Sequence, residues 1–141
     1  MTELFSLGSQ GWGDEMLRGA LMTVLVSASS LILGIVIGII FAACKLSNIF
    51  LLKLIANIYT TIIRGIPELL VIYLLFFGGS GAVMYVAKIF GYYGYIELNA
   101  FTIGTIAVGA ISGAYSTEVI RGAVNAVPKG QFEAGKTLGL K

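Results

Sequence analysis

Histidine is absent from this 141-residue chain, cysteine occurs once and proline twice. Without histidine, neither a Ser/His/Asp nor a Cys/His catalytic constellation can be built. With Cys44 alone there is no Cys/His metal site and no disulfide framework. Cys44 ends an apolar run and reads as a small packing residue. Charge is scarce too. Asp, Glu, Lys and Arg make up 11% of the residues, against about a quarter in soluble domains. No G-x-x-x-x-G-K-[ST] sequence occurs, so the chain carries no P-loop. A cleavable leader is not expected. The acids Glu3, Asp14 and Glu15 stand where a leader needs basic residues, and the first apolar run is too long for a leader core. Aromatic residues lack the basic companions that a base-stacking surface requires, so no nucleic-acid partner is expected.

What is present is apolar. Hydrophobic residues make up 57% of the chain, and the mean hydropathy is +0.94. Lipid is therefore the expected solvent. Residues 1–17 read as a short lead-in, with Trp12 suited to the headgroup region. Gly19 to Cys44 holds no charge and exceeds the roughly 20 residues that cross a bilayer core. Ser30, Gly34, Gly38 and Ala42 recur every four residues, which places small side chains on one face for close helix packing.

After a turn near Ser47 and Asn48, a second span is expected over about 51–78. Pro67 is expected to kink it. Arg64 and Glu68 stand four apart, so on one helix they share a face and can pair. Snorkelling at the inner interface is the alternative. The run Gly78-Gly79-Ser80-Gly81 is expected to stop this helix. Ala82 to Leu98, with Tyr85, Tyr92, Tyr93 and Tyr95, then reads as an interfacial outer segment. The third span is expected over about 98–121. There Thr105, Gly109, Gly113 and Thr117 repeat the four-residue spacing. Glu118 and Arg121 lie near its end. They can pair with each other or with Arg64 and Glu68, as a charged brace or as part of a transport path that also takes in Pro67 and Tyr115.

The charges give the orientation. Only acids precede Arg18. Lys45, Lys53 and Arg64 follow the first span. Arg121, Lys129, Lys136 and Lys141 follow the third. The positive-inside rule then puts the N-terminus outside and the C-terminal tail in the cytoplasm. Pro128 ends the last span, and a short amphipathic helix is expected over about 129–138.

The tail also resembles a known family. Glu133-Ala134-Gly135 followed by Gly139 is similar to the EAA loop of the membrane subunits of bacterial ABC importers. The upstream Ala114-Tyr115-x-x-Glu118-Val119-x-Arg121-Gly122-Ala123, with Pro128-x-Gly130-Gln131-x-Glu133-Ala134, resembles the polar amino-acid branch of histidine, arginine and opine permeases. Arg64-Gly65-x-Pro67 is also similar to that branch. Gly135 departs from the pattern, which usually has a second alanine there.

The resemblance implies an all-α integral membrane fold: three transmembrane helices of a MetI-like type I ABC importer domain over 18–141, plus the start of a coupling helix. It implies the N-terminal portion of a non-catalytic inner-membrane subunit for polar amino acids, basic ones or opines. The partners implied are ABC ATPase subunits, a second permease subunit of the same or similar sequence, and a periplasmic solute-binding protein. ATP and Mg would bind the ATPase and not this chain. Gln131, Phe132, Glu133, Ala134, Gly135, Leu138 and Gly139 are the residues implied to couple to it. Two other classes fit three apolar spans. A small channel would need a filter motif or a charged ring, and neither is present. A purely structural assembly subunit would need only the packing faces.

Overall fold

The computed structural model describes residues 11–92 and 99–139, without the side chains of Ser80 and Phe132. Most of the lead-in, Tyr93 and Tyr95 of the outer segment, and Lys141 lie outside the described residues. The described chain is helical throughout: α1 (Gly13–Leu46), α2 (Phe50–Gly65), α3 (Glu68–Ile89), α4 (Ala100–Ala126) and α5 (Lys129–Thr137).

Helix α1 begins at Gly13 rather than Gly19. Asp14 and Glu15 fall in its first turn and Lys45 in its last, each charge opposing the end of the helix dipole it faces. Its 34 residues give about 50 Å of helix, well beyond a bilayer core of about 30 Å. Helix α4 starts at an N-cap, where Asn99 Oδ1 accepts a hydrogen bond from the Phe101 amide at 3.0 Å. Such a cap satisfies one of the orphan amides of the first turn.

Helices α1 and α4 form the core, through their stripes of small residues. Ser30, Gly34, Gly38 and Ala42 are the buried positions of α1's membrane part. Ala107, Gly109, Gly113, Ala114 and Thr117 are buried on α4. Gly34 lies against Ser112 and Gly38 against Ser116, while Leu33 fills the space at Gly109 and Ile37 that at Gly113. Ser30 Oγ donates to the Thr105 carbonyl at 3.3 Å. The numbers rise together along both helices, so α1 and α4 run parallel. Two parallel helices cannot follow one another directly. The chain between them must return to the starting side, and α2 with α3 makes that return.

The return is broken, not merely kinked. Helix α2 ends at Gly65. Ile66 (φ −104°, ψ 141°) and Pro67 (φ −53°, ψ 130°) are both extended. The axis of α2 and that of residues 68–79 differ by 106°. A proline kink of one continuous helix over 51–78 is thus corrected to two helices. The cause is local in part: proline pushes the residue before it out of the α region, so two consecutive residues leave the helix. Packing fixes the direction. On α2, Tyr59 donates to the Ala110 carbonyl at 2.5 Å and its ring lies 4.3 Å from that of Phe41.

The glycine run at 78–81 does not stop α3. Each glycine weakens a helix by only about 1 kcal/mol, and apolar residues flank the run on both sides. The helix ends at Phe90–Gly91 instead. There Gly91 takes φ +82°, its amide bonds the Lys88 carbonyl at 3.0 Å, and the Tyr92 amide bonds the Ala87 carbonyl at 2.9 Å. These paired bonds are the Schellman closure. So Ala82 to Ile89 continues α3 and is not a separate interfacial helix. Helices α1 and α4 are each long and apolar enough to cross a membrane, and α2 with residues 68–79 passes the same test only as a bent pair, the form of a broken span or of a re-entrant loop.

Candidate functional site

The C-terminal parts of α1, α2 and α4 meet at a charged brace. Lys45 Nζ forms an ion pair with Glu118 Oε1 and donates to Thr60 Oγ1 at 2.6 Å. The other carboxylate oxygen of Glu118 accepts from Arg121 Nη2 at 2.7 Å and Nε at 3.0 Å. One carboxylate therefore ties a lysine on α1 to an arginine on its own helix, and the lysine also holds α2. The Lys45 side chain is 8% exposed and that of Glu118 19%, while Arg121 keeps 41%. Helical spacing alone allows the Glu118–Arg121 contact. Lys45 was missed by sequence reasoning. Its signal was available: if the two small-residue stripes face each other in parallel, Lys45 and Glu118 reach the same depth.

Arg64 and Glu68 do not join this brace, nor do they pair with each other. The break at Ile66–Pro67 puts them on different helices, so the four-residue spacing no longer gives a shared face. The Arg64 guanidinium lies over the ring of Tyr115, 5.4 Å from its centroid. Arg64, Glu68 and Tyr115 are all exposed.

Beyond α4, Val127 and Pro128 are extended and set α5 off as a separate helix. Gln131, Glu133, Ala134 and Leu138 are exposed, with Gly135 half-buried. Leu138 is 79% exposed, so an apolar side chain stands uncovered beside polar ones. Gly139 takes φ +77°, a left-handed conformation that costs a side-chain-bearing residue about 1 kcal/mol. Its amide bonds the Lys136 carbonyl at 3.1 Å. This gives the Gly139 of the sequence motif a structural reason: it closes α5. Among the described residues no group of His, Cys, Asp and Glu could hold a metal ion.

Parallel apolar helices, a sharply bent helix pair, a charged brace and an uncovered short helix beyond it define a polytopic, all-helical membrane domain. Residues 34–141 match the family described as the binding-protein-dependent transport system inner membrane component, and the chain belongs to that family. It is 52% identical over 138 residues to the nopaline transport system permease protein NocQ of Agrobacterium fabrum, covering 97% of this chain and 58% of that protein. It is 43% identical over 130 residues to the histidine/lysine/arginine/ornithine transport system permease protein HisQ of Escherichia coli, covering 92% and 57%. The chain thus spans less than two thirds of the length of these relatives. A crystal structure of an amino acid ABC transporter with histidines superposes with a TM-score of 0.63 at 29% identity, covering 90% of this chain and 57% of that one.

Proposed function

We propose that this chain is the membrane-spanning part of a permease subunit that moves polar amino acids, basic ones or opines, across the bacterial inner membrane at the expense of ATP hydrolysed elsewhere. The observation that carries this is α5: a short helix past α4, exposed at Gln131, Glu133, Ala134 and Leu138 and closed by Gly139. An apolar Leu138 left 79% exposed at the end of an otherwise polar helix is a surface made for another protein. The partner is an ABC ATPase, which binds ATP and Mg. Gln131, Phe132, Glu133, Ala134, Gly135, Leu138 and Gly139 form its contact. A second permease subunit, the same or similar, and a periplasmic solute-binding protein complete the assembly in the lipid. Coupling is mechanical. Nucleotide-driven closure moves α5. Helix α4 follows, and the Lys45–Glu118–Arg121 brace passes the displacement to α1 and α2, opening the path to each side in turn.

The orientation rests on charge. The start of α1 carries Asp14 and Glu15, while Lys45, Arg121, Lys129 and Lys136 gather at the inner ends of α1 and α4 and on α5. With α1 and α4 parallel, both helices then begin outside and finish in the cytoplasm.

In the full-length subunit, Glu133→Lys is expected to abolish substrate-stimulated ATP hydrolysis by the reconstituted complex and leave membrane insertion intact. Glu133 is exposed on α5, where a carboxylate can take a basic side chain from the ATPase; lysine reverses that charge. Normal stimulation by the variant would remove α5 from the coupling role.

A further inference from the structure

We propose that α2 lies along the cytoplasmic surface of the bilayer and that its basic edge binds the phosphates of anionic phospholipids in that leaflet.

Both ends of α2 fall on one side of the membrane. Lys45, in the last turn of α1, meets Thr60 of α2 and Glu118 of α4 at the brace. Helix α2 starts just past that turn, at Phe50, and α3 starts just past the bend, at Glu68. The 22 residues of α3 make about 33 Å of helix, enough to cross a bilayer core of about 30 Å unaided. The return to the start of α4 therefore needs no length from α2. The turn agrees. With α3 upright, 106° between α2 and residues 68–79 is 16° beyond a right angle and lays α2 nearly flat.

The three faces of α2 suit that position. Ala56 and Thr60 are its buried residues, and beside them Tyr59 meets Phe41 and the Ala110 carbonyl. Leu51, Ile55, Ile58 and Ile62 fall within about 60° of one another at about 100° per residue, and all are exposed. Lys53, Asn57 and Arg64 fall within about 40° of one another on a different edge, roughly 150° from the isoleucines. Asn57 and Arg64 are exposed and Lys53 is half-buried. An apolar strip facing away from a basic one is the pattern of a helix in the interface plane. A helix crossing lipid is apolar all round.

Charge complementarity selects the ligand. Lys53 and Arg64 are the charged residues of α2, both basic; Glu68 belongs to α3, beyond the bend. The cytoplasmic leaflet is the anionic one, and each Lys or Arg near it strengthens association about fivefold. Eleven residues of helix separate Lys53 from Arg64 by about 16 Å, so each takes its own phosphate. The Arg64 guanidinium is backed by the Tyr115 ring at 5.4 Å, which leaves its planar edge free for phosphate oxygens.

Two measurements on the full-length permease–ATPase complex in phosphatidylcholine vesicles test this, both in a Cys44→Ser background. In the first, nitroxides are attached singly at Ile55→Cys, Ile58→Cys and Ile62→Cys, and their depth is read from collisions with oxygen and with an aqueous nickel chelate. All three should meet oxygen and escape nickel. Ile55 and Ile62 lie about 10 Å apart along the helix axis and should differ by only about 3 Å in depth. A difference of about 10 Å would make α2 a crossing segment and overturn the placement. Nickel access at all three would put the strip in an aqueous path, and shielding from both reagents would put it against protein; either overturns the lipid contact. In the second, a bimane at Thr61→Cys, between the two edges, is quenched by phosphatidylglycerol or phosphatidylcholine carrying a nitroxide near the top of its acyl chain. Half-quenching should need at least about fivefold less phosphatidylglycerol than phosphatidylcholine. Lys53→Gln and Arg64→Gln should each lower that preference about fivefold, and Lys53→Arg should keep it. Lys53→Gln gives the readout if Arg64→Gln fails to assemble. Equal quenching by the two lipids, or a preference that neither variant lowers, would overturn the phosphate site.

Discussion

Gly38→Leu is expected to prevent the full-length protein from being recovered as a folded, monodisperse species. Even a single methyl group at Gly38 would stand 2.6 Å from Ser116 Cβ and 3.3 Å from the Ser116 carbonyl carbon. No real Cβ sits so close, and one of the opposing atoms is backbone, which cannot swing away. Gly113 is the mirror case, with an added Cβ 2.7 Å from Ile37 Cγ2 and 2.9 Å from Ile37 Cβ. Overpacking a tight core costs about 1–3 kcal/mol for modest insertions, and a leucine here must separate α1 from α4 along their whole contact. Gly38→Ala should sit at the modest end of that range in a detergent or nanodisc melt. Gly78→Ala is the control. Nothing lies within 4 Å of its Cβ position, so it should be neutral or stabilising by up to about 1 kcal/mol. Recovery of Gly38→Leu at wild-type yield and melting temperature would contradict the α1–α4 packing.

Glu118→Gln should destabilise the subunit by about 3 kcal/mol. It leaves the Lys45 ammonium, whose side chain is 8% exposed, with no counter-charge. Breaking a buried ion pair on one side costs about 3–5 kcal/mol. The low end applies because Glu118 keeps 19% of its exposure. The double variant Lys45→Met with Glu118→Gln should be less damaged than the sum of the singles, by about 0.5–3 kcal/mol of coupling. Arg121→Gln should cost less than about 1 kcal/mol, since Arg121 is 41% exposed and exposed ion pairs contribute little. Thermal unfolding in nanodiscs of wild type, Lys45→Met, Glu118→Gln and the double variant gives the cycle, and Arg121→Gln is measured beside them. Strictly additive losses would mean that Lys45 and Glu118 do not act as a pair.

The packing of α1 on α4 was legible because small residues at four-residue spacing have one physical use in a lipid-facing helix. What the stripes lacked was direction. Facing strips of Ser30 to Ala42 and Thr105 to Thr117 fit a parallel or an antiparallel pair, and only the parallel one brings Lys45 to Glu118. The break at Ile66–Pro67 was legible as a perturbation and not in size. A proline inside an apolar run reads the same whether the helix bends slightly or ends. The 106° angle is set by what α2 touches, Tyr59 on Ala110 and Thr60 on Lys45, and those contacts span distant parts of the sequence. The glycines at 78–81 misled for the opposite reason. Their local weakness was visible, but the apolar run on both sides outweighed it. The outcome for Arg64 and Glu68 follows from the same break: a spacing argument holds only while the helix is continuous. On α5, the sequence pattern marked Gly139 by resemblance, and the structure supplies the cause in its positive φ.

ATP-driven uptake tests the central claim most directly. Full-length subunit, ATPase and binding protein are reconstituted in proteoliposomes loaded with ATP and Mg, and labelled L-arginine is added with the binding protein outside. The account predicts accumulation above the external concentration, lost when the ATPase, the binding protein or ATP is omitted. Flux that only equilibrates the label, and persists without ATP, would mark the chain as part of a channel and contradict the account.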